Sequence, residues 1–161
     1  MEMKLKKLEG TIEDIWSIRI CHGKSPLEID ISKNAHIAEI TKDDVTDIPA
    51  LFVADPFMIH DEKKWYLFMG ILNSETELGE IGLVTSTNGT TWEYQQVVLK
   101  EDYHLSYPFI FKHDDEFYMI PETLDTQAVH LYKASNFPYD WGISNRYCKR
   151  KICRSNCFSP S

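Results

Sequence analysis

Apolar residues in this chain come in short paired runs joined by charged turns, and the pairs recur. Phe57-Met58-Ile59 leads through the polar residues 60–64 to a second apolar run at 65–69. At an offset of 52 residues, Phe109-Ile110-Phe111 leads through the polar residues 112–116 to an apolar run at 117–120, and Asp55-Pro56 aligns with Tyr107-Pro108. Each pair predicts a β-hairpin. The strands are apolar on both faces, as in sheets covered on both sides. Ile81-Gly82-Leu83-Val84-Thr85-Ser86 aligns with Val129-His130-Leu131-Tyr132-Lys133-Ala134 at an offset of 48 and predicts a third strand in each unit. In the first unit Asn88-Gly89 is a strong turn signal, Trp92 is expected to pack beneath it, and residues 93–99 read as a fourth, outer strand. In the second unit residues 136–141 are the corresponding turn. Beyond Trp141 the alternation stops, so no fourth strand is expected there.

A repeat of about 50 residues made of strands and tight turns is the period of a β-propeller blade. A two-sheet sandwich would bury such strands too, but it does not account for the period. The expected fold is all-β: an incomplete propeller of four-stranded antiparallel blades over residues 1–141, then an irregular, basic tail over 142–161 holding three cysteines. Such a tail reads as a truncation, a change of coding frame or a native disordered tail. Upstream, Trp16, Ile18 and Ile20 alternate in a strand-like stretch at 13–20, residues 23–26 read as a turn, and Ile29 and Ile31 alternate. Thr41-Lys42-Asp43-Asp44 reads either as one capped helical turn or as a loop. Blades without neighbours expose apolar faces and unpaired edges, which predicts self-association.

Composition narrows the class. A chain of 161 residues is one domain, and 43% hydrophobic residues fit a folded domain rather than a disordered one. With no apolar run of 18 residues, no membrane span is expected. Residues 1–7 are charged with no apolar stretch after them, so no secretory signal is read and a cytoplasmic protein is expected. Net charge is −8, unevenly spread: residues 146–161 carry five basic side chains and no acid. The acidic body argues against nucleic acid as a partner. Cys148, Cys153 and Cys157 lack paired C-x-x-C spacing, Cys21 stands apart, and no histidine follows His130. Neither a zinc site nor another metal or cofactor is expected.

The start of a hairpin's first strand and the end of its second share one rim. Asp55 opens the first hairpin, His104, Ser106 and Tyr107 open the second, and Glu122 closes it. In neighbouring blades these residues face one end of the channel. Asp55 and Glu122 are then candidate catalytic carboxylates for glycosidic bond chemistry, and His104, Ser106 and Tyr107 are candidate sugar-binding residues. Each has a structural reading as well. An Asp before proline starts a turn, a strand-end glutamate is solvated, a lone histidine is hydrogen-bonded in place, and tyrosines pack blades. Asp43-Asp44 and Asp114-Asp115 are read as solvated acids, not metal ligands, and the sequon Asn88-Gly89-Thr90 is explained by its turn.

The same residues carry a resemblance. Trp16-Ser17-Ile18, Asp44-Val45-Thr46-Asp47, Ala54-Asp55-Pro56-Phe57, Gly79-Glu80-Ile81-Gly82-Leu83, His104-Leu105-Ser106-Tyr107-Pro108 and Ile120-Pro121-Glu122-Thr123 resemble the propeller domain at the N-terminus of glucosamine inositolphosphorylceramide transferases. The resemblance covers about residues 12–141, and the domain is similar in turn to the five-bladed family 43 glycoside hydrolases. It implies a partial five-bladed propeller that acts on or binds a glycan or glycoconjugate, either as an enzyme or as a non-catalytic sugar-binding or interaction module; an inactive fragment is the third reading. In family 43 a blade-initial Asp of a D-P motif is the general base, and Asp55 matches it. The next unit opens with Tyr107 where a second Asp is expected, and no Glu-Gly-Pro occurs, so Glu122 is not equated with the family's general acid.

Overall fold

Two four-stranded antiparallel sheets carry the repeat. This is seen in a computed structural model that describes residues 16–21, 23–25, 27–29 and 38–147. The first sheet has the order β3 (Ala50–Asp61), β4 (Lys64–Asn73), β5 (Gly79–Ser86), β6 (Glu93–Leu99). The second runs β7 (Ser106–His113), β8 (Glu116–Glu122), β9 (Val129–Asn136), β10 (Asp140–Tyr147). In each, sequence neighbours are hairpin-joined, so the strands meander outward from the first. β3 lies beside β7, and β6 beside β10. A small antiparallel pair, β1 (Ile18–Ile20) and β2 (Ala38–Ile40), sits against β3.

The fourth strand of the second unit is present, which corrects the boundary read at Trp141. β10 pairs with β9 from Asp140 to Tyr147. Nearly all its side chains are exposed, and two register shifts interrupt it. Trp141, Ile143 and Tyr147 alternate along it, but Asn145 and the register shifts interrupt the pattern, which is why it does not read as a strand. Residues before Trp16 and from Cys148 onward lie outside the described residues, as do the expectations placed on them. The Thr41–Asp44 alternatives resolve to a single 3₁₀ turn over Lys42–Asp44: the Asp43 amide donates to Thr41 Oγ1 and the Thr41 amide to Asp44.

The repeat extends to backbone detail. Both first strands bulge at the residue before proline, Asp55 (φ 52°) and Tyr107 (φ 48°). Both outer turns tuck an indole beneath them. Trp92 Nε1 donates to the Gly89 carbonyl at 3.2 Å, and Trp141 Nε1 to the Pro138 carbonyl at 2.8 Å.

Each sheet therefore has equivalent faces. On the first, Phe57, Ile59, Tyr66, Phe68 and Leu83 form a front; Leu67 and Val84 lie on the back. The front packs on Ile110, Met119 and Tyr132, the back of the second sheet. Phe137 of the β9–β10 turn fills the gap, stacked on Phe117 at 3.6 Å and edge-on to Tyr66 at 4.7 Å. The back of the first sheet is covered by Ile18, Ile40, Val45 and Ile48. Asp47 fastens that cover: its carboxylate accepts from Tyr94 Oη and from the Val97 amide, both at 2.6 Å. The corresponding front of the second sheet, Phe109, Phe111, Tyr118, Ile120 and Leu131, belongs to neither core; Phe109 is 49% exposed. No described helix is long and apolar enough to cross a membrane.

A directional hydrogen-bond chain ties the β6–β7 connection to the second sheet. Tyr132 Oη donates to Glu101 (3.0 Å), Tyr103 Oη lies 2.8 Å from Tyr132 Oη, and His130 Nδ1 lies 2.9 Å from Tyr103 Oη. Each phenol has one proton. All three contacts are bonds only if Tyr103 donates to Tyr132 and His130 carries its proton on Nδ1. Burial lowers the basicity of His130, helped by Arg146 and opposed by Glu101. The folded state thus prefers the neutral ring, while the unfolded chain takes up its proton near pH 6.5. The unfolded state binds more protons below that point, so stability falls with falling pH. The urea midpoint is expected to be level above about pH 6.5 and to drop below it, and His130→Gln is expected to flatten the drop; an unchanged profile in the variant would refute this.

Candidate functional site

The bulges place the site. A residue before proline is normally driven to extended backbone, and positive φ is uncommon for any side chain but glycine's. At Asp55 and Tyr107 the extra bulge residue turns the side chain out of the ladder, toward the rim. Both line one cavity of about 450 Å³, walled by Trp16, Ser17, Ile18 and Arg19 from the β1 side and by residues 54–57 of β3. The size suits a small ligand. Trp16 is 57% and Tyr107 54% exposed, so two aromatic faces stand open at its walls. Arg19 pairs with Glu39 at 3.5 Å, and Ser17 Oγ donates to the same carboxylate at 2.9 Å.

The units differ where they are equivalent. Ala54 pairs with Gly70, and Ser106 pairs with Glu122. The first unit carries its rim carboxylate on the first strand (Asp55, over Gly70), and the second carries it on the second strand (Glu122, beside Tyr107). Asp55 Oδ2 lies 3.8 Å from where a Cβ on Gly70 would stand. Glu122 is exposed and accepts from Ser106 Oγ at 2.9 Å. Of the sequence candidates, Asp55 and Tyr107 meet in the cavity. Ser106 and Glu122 hold each other at the end of the β7–β8 ladder and are not among its walls.

His104 points elsewhere. Its Nδ1 accepts from the Gly79 amide at 3.0 Å, and the Leu105 amide donates to the Gly79 carbonyl at 3.0 Å. These bonds clamp the β6–β7 connection to the start of β5. Gly79 is required there, since a Cβ would run into the Leu105 carbonyl and the His104 ring. Next to it, Glu80 is buried; its Oε1 accepts from Asn73 Nδ2 at 3.0 Å, with Lys100 at 3.6 Å. Thr123 Oγ1 donates to the Ala128 carbonyl at 2.6 Å and closes the loop after β8. Trp16, Ser17 and Arg19 were the cavity residues that sequence reasoning missed as site residues. Among the described residues no group of three or more His, Cys, Asp or Glu is placed to hold a metal ion.

Fold and site together define an all-β repeat domain with an aromatic and acidic cavity on its rim. A family model described as "Glucosamine inositolphosphorylceramide transferase 1, N-terminal" matches residues 9–159, and the chain belongs to that family. Glucosamine inositolphosphorylceramide transferase 1 of rice (Oryza sativa subsp. japonica) is 35% identical over 146 residues, covering 81% of this chain and 20% of the relative. The Arabidopsis thaliana protein of the same name is 31% identical over 158 residues, covering 89% of this chain and 21% of the relative. The chain thus spans about a fifth of the length of these curated relatives.

The clamp at Gly79 is testable. Gly79→Ala is expected to cost about 2–3 kcal/mol by overpacking, read as a lowered urea midpoint; a change within error would show that the β6–β7 connection yields freely.

Proposed function

We propose that this chain is a carbohydrate-binding domain of the glycosyl-transfer proteins it resembles, and that the rim cavity receives a sugar unit of a glycan or glycoconjugate. The carrying observation is the convergence of Asp55 and Tyr107, equivalent residues of two units, with Trp16 on one cavity. Aromatic faces pack on the C–H face of a pyranose, and a carboxylate accepts from its hydroxyls. Binding is favoured over hydrolysis because Asp55 is the one carboxylate among the described residues of the cavity walls, whereas acid/base cleavage needs two flanking the bond. The relatives are named glucosamine inositolphosphorylceramide transferases, which supports a glycan-handling role. Calorimetry with a panel of monosaccharides tests the reading. Trp16→Ala and Tyr107→Ala are each expected to weaken binding about tenfold, roughly 1.4 kcal/mol. Unaltered affinity in both variants would place the sugar elsewhere.

We further propose that the two units are neighbouring blades of a propeller. The support is their front-to-back stacking about the β3–β7 side, repeated at 52 residues. The open front of the second sheet is then the seat of a further unit of the same kind. In this chain alone it drives self-association, because the matching back of the first sheet is already covered and only front-to-front pairing is left. Light scattering is expected to show association at micromolar protein, and Phe109→Lys is expected to give a monomer; a monodisperse wild-type monomer would sink this reading.

A further inference from the structure

Three glycines lie in the first sheet, and two of them have a packing reason. A Cβ on Gly79 would run into the Leu105 carbonyl, and one on Gly82 into the Ile71 side chain. Gly70, within β4, has no such reason. Nor is its φ positive, since Gly89 is the one described glycine in that region. A Cβ on Gly70 would meet the Ala54 carbonyl at 3.7 Å and Asp55 Oδ2 at 3.8 Å, both ordinary contact distances. Nothing else among the described residues comes within 4 Å, its chain neighbours apart. A glycine inside a strand costs stability relative to alanine, because it orders more backbone and packs nothing. The remaining cause of a mid-strand glycine is close approach of another group to the backbone.

The position of this bare backbone fits a ligand. Gly70 is buried and lies two residues after Phe68, on the strand face turned to the second sheet. The two groups nearest the missing side chain, Ala54 and Asp55, both wall the rim cavity. The space over Gly70 therefore adjoins that cavity at Asp55 Oδ2. No hydrogen bond or ion pair joins this carboxylate to any described residue. The second unit fills the same place: at the 52-residue offset Glu122 stands there, and its carboxylate takes the Ser106 hydroxyl at 2.9 Å. A long side chain is thus compatible with the ladder, and the first unit leaves it out. A hydroxyl oxygen bonded to a carboxylate oxygen stands about 2.7 Å from it. A methyl group 3.8 Å from Oδ2 would take the space such a hydroxyl needs on the β4 side.

We infer that Gly70 belongs to the binding site: its missing side chain is the slot through which a ligand hydroxyl reaches Asp55 Oδ2. This rests on the sugar-binding reading above.

Calorimetry on the full chain, paired with a thermal midpoint, tests this. Two neutral pyranosides, methyl α-glucoside and methyl α-galactoside, are the probes. Gly70→Ala is expected to weaken binding of whichever pyranoside the wild type takes by about tenfold, the loss of one hydrogen bond to a charged group. Its thermal midpoint is expected to hold or rise, because alanine replaces a strand glycine without a clash. A purely structural glycine would not separate the two readouts in this way. Unaltered affinity in Gly70→Ala overturns the slot and leaves sugar binding standing. A lowered midpoint assigns Gly70 to packing and overturns the slot as well. Wild-type binding of neither pyranoside overturns both readings.

Discussion

The front of one sheet on the back of the next is the contact on which the rest depends. Phe68, Ile81 and Leu83 meet Ile110, Met119 and Tyr132 there, and most of these side chains are wholly out of water. Burying them is the main stabilising term available where the described residues hold only two short 3₁₀ turns besides strands. Like faces do not meet like: front packs on back, so the two sheets face the same way along the stack. That brings β3 beside β7 and β6 beside β10, and it carries the two bulges to one rim. At the opposite rim Lys112 reaches across to Asp61 at 2.9 Å, joining the two hairpin ends. An exposed pair like this adds little to stability, but it reports the same registration.

Much of the fold was legible because the units are apolar on both faces and punctuated by strong turns. The 52-residue offset matched Asp55 with Tyr107 down to the sign of φ, and the Asn88-Gly89 turn carried its tryptophan as expected. Legibility failed where side chains do not report the backbone. In the strand Asp140–Tyr147 most side chains face solvent, and the spacing of Trp141, Ile143 and Tyr147 is interrupted at Asn145, so its ladder to β9 is the clearer sign. The strand at Ile18–Ile20 was legible, but that it joins a cover over the first sheet was not. The cover's Ile18, Ile40, Val45 and Ile48 come from short segments with no common period.

The site was half legible for a related reason. Sequence order places residues on a rim, but it does not say which way each turns. Asp55 and Tyr107 project into the cavity because a bulge frees them. His104, three residues before Tyr107, is drawn back by the Gly79 amide. Several motif residues turn out to be fasteners: Asp47 on β6, Gly79 under Leu105, Thr123 on its own loop. Trp16 and Arg19 reach the cavity through tertiary packing alone, and no spacing along the chain announces that.

The exchange between Asp55–Gly70 and Tyr107–Glu122 has a consequence for how such a domain diversifies. Every unit offers two adjacent positions at the rim, one on each of its first two strands, and both lie outside the packed interface. A carboxylate, an aromatic ring or nothing at all can occupy either position while the stack beneath is untouched. Chemistry at the mouth is in that sense modular, and a duplicated architecture acquires an asymmetric, ligand-discriminating opening without altering how its layers fit together.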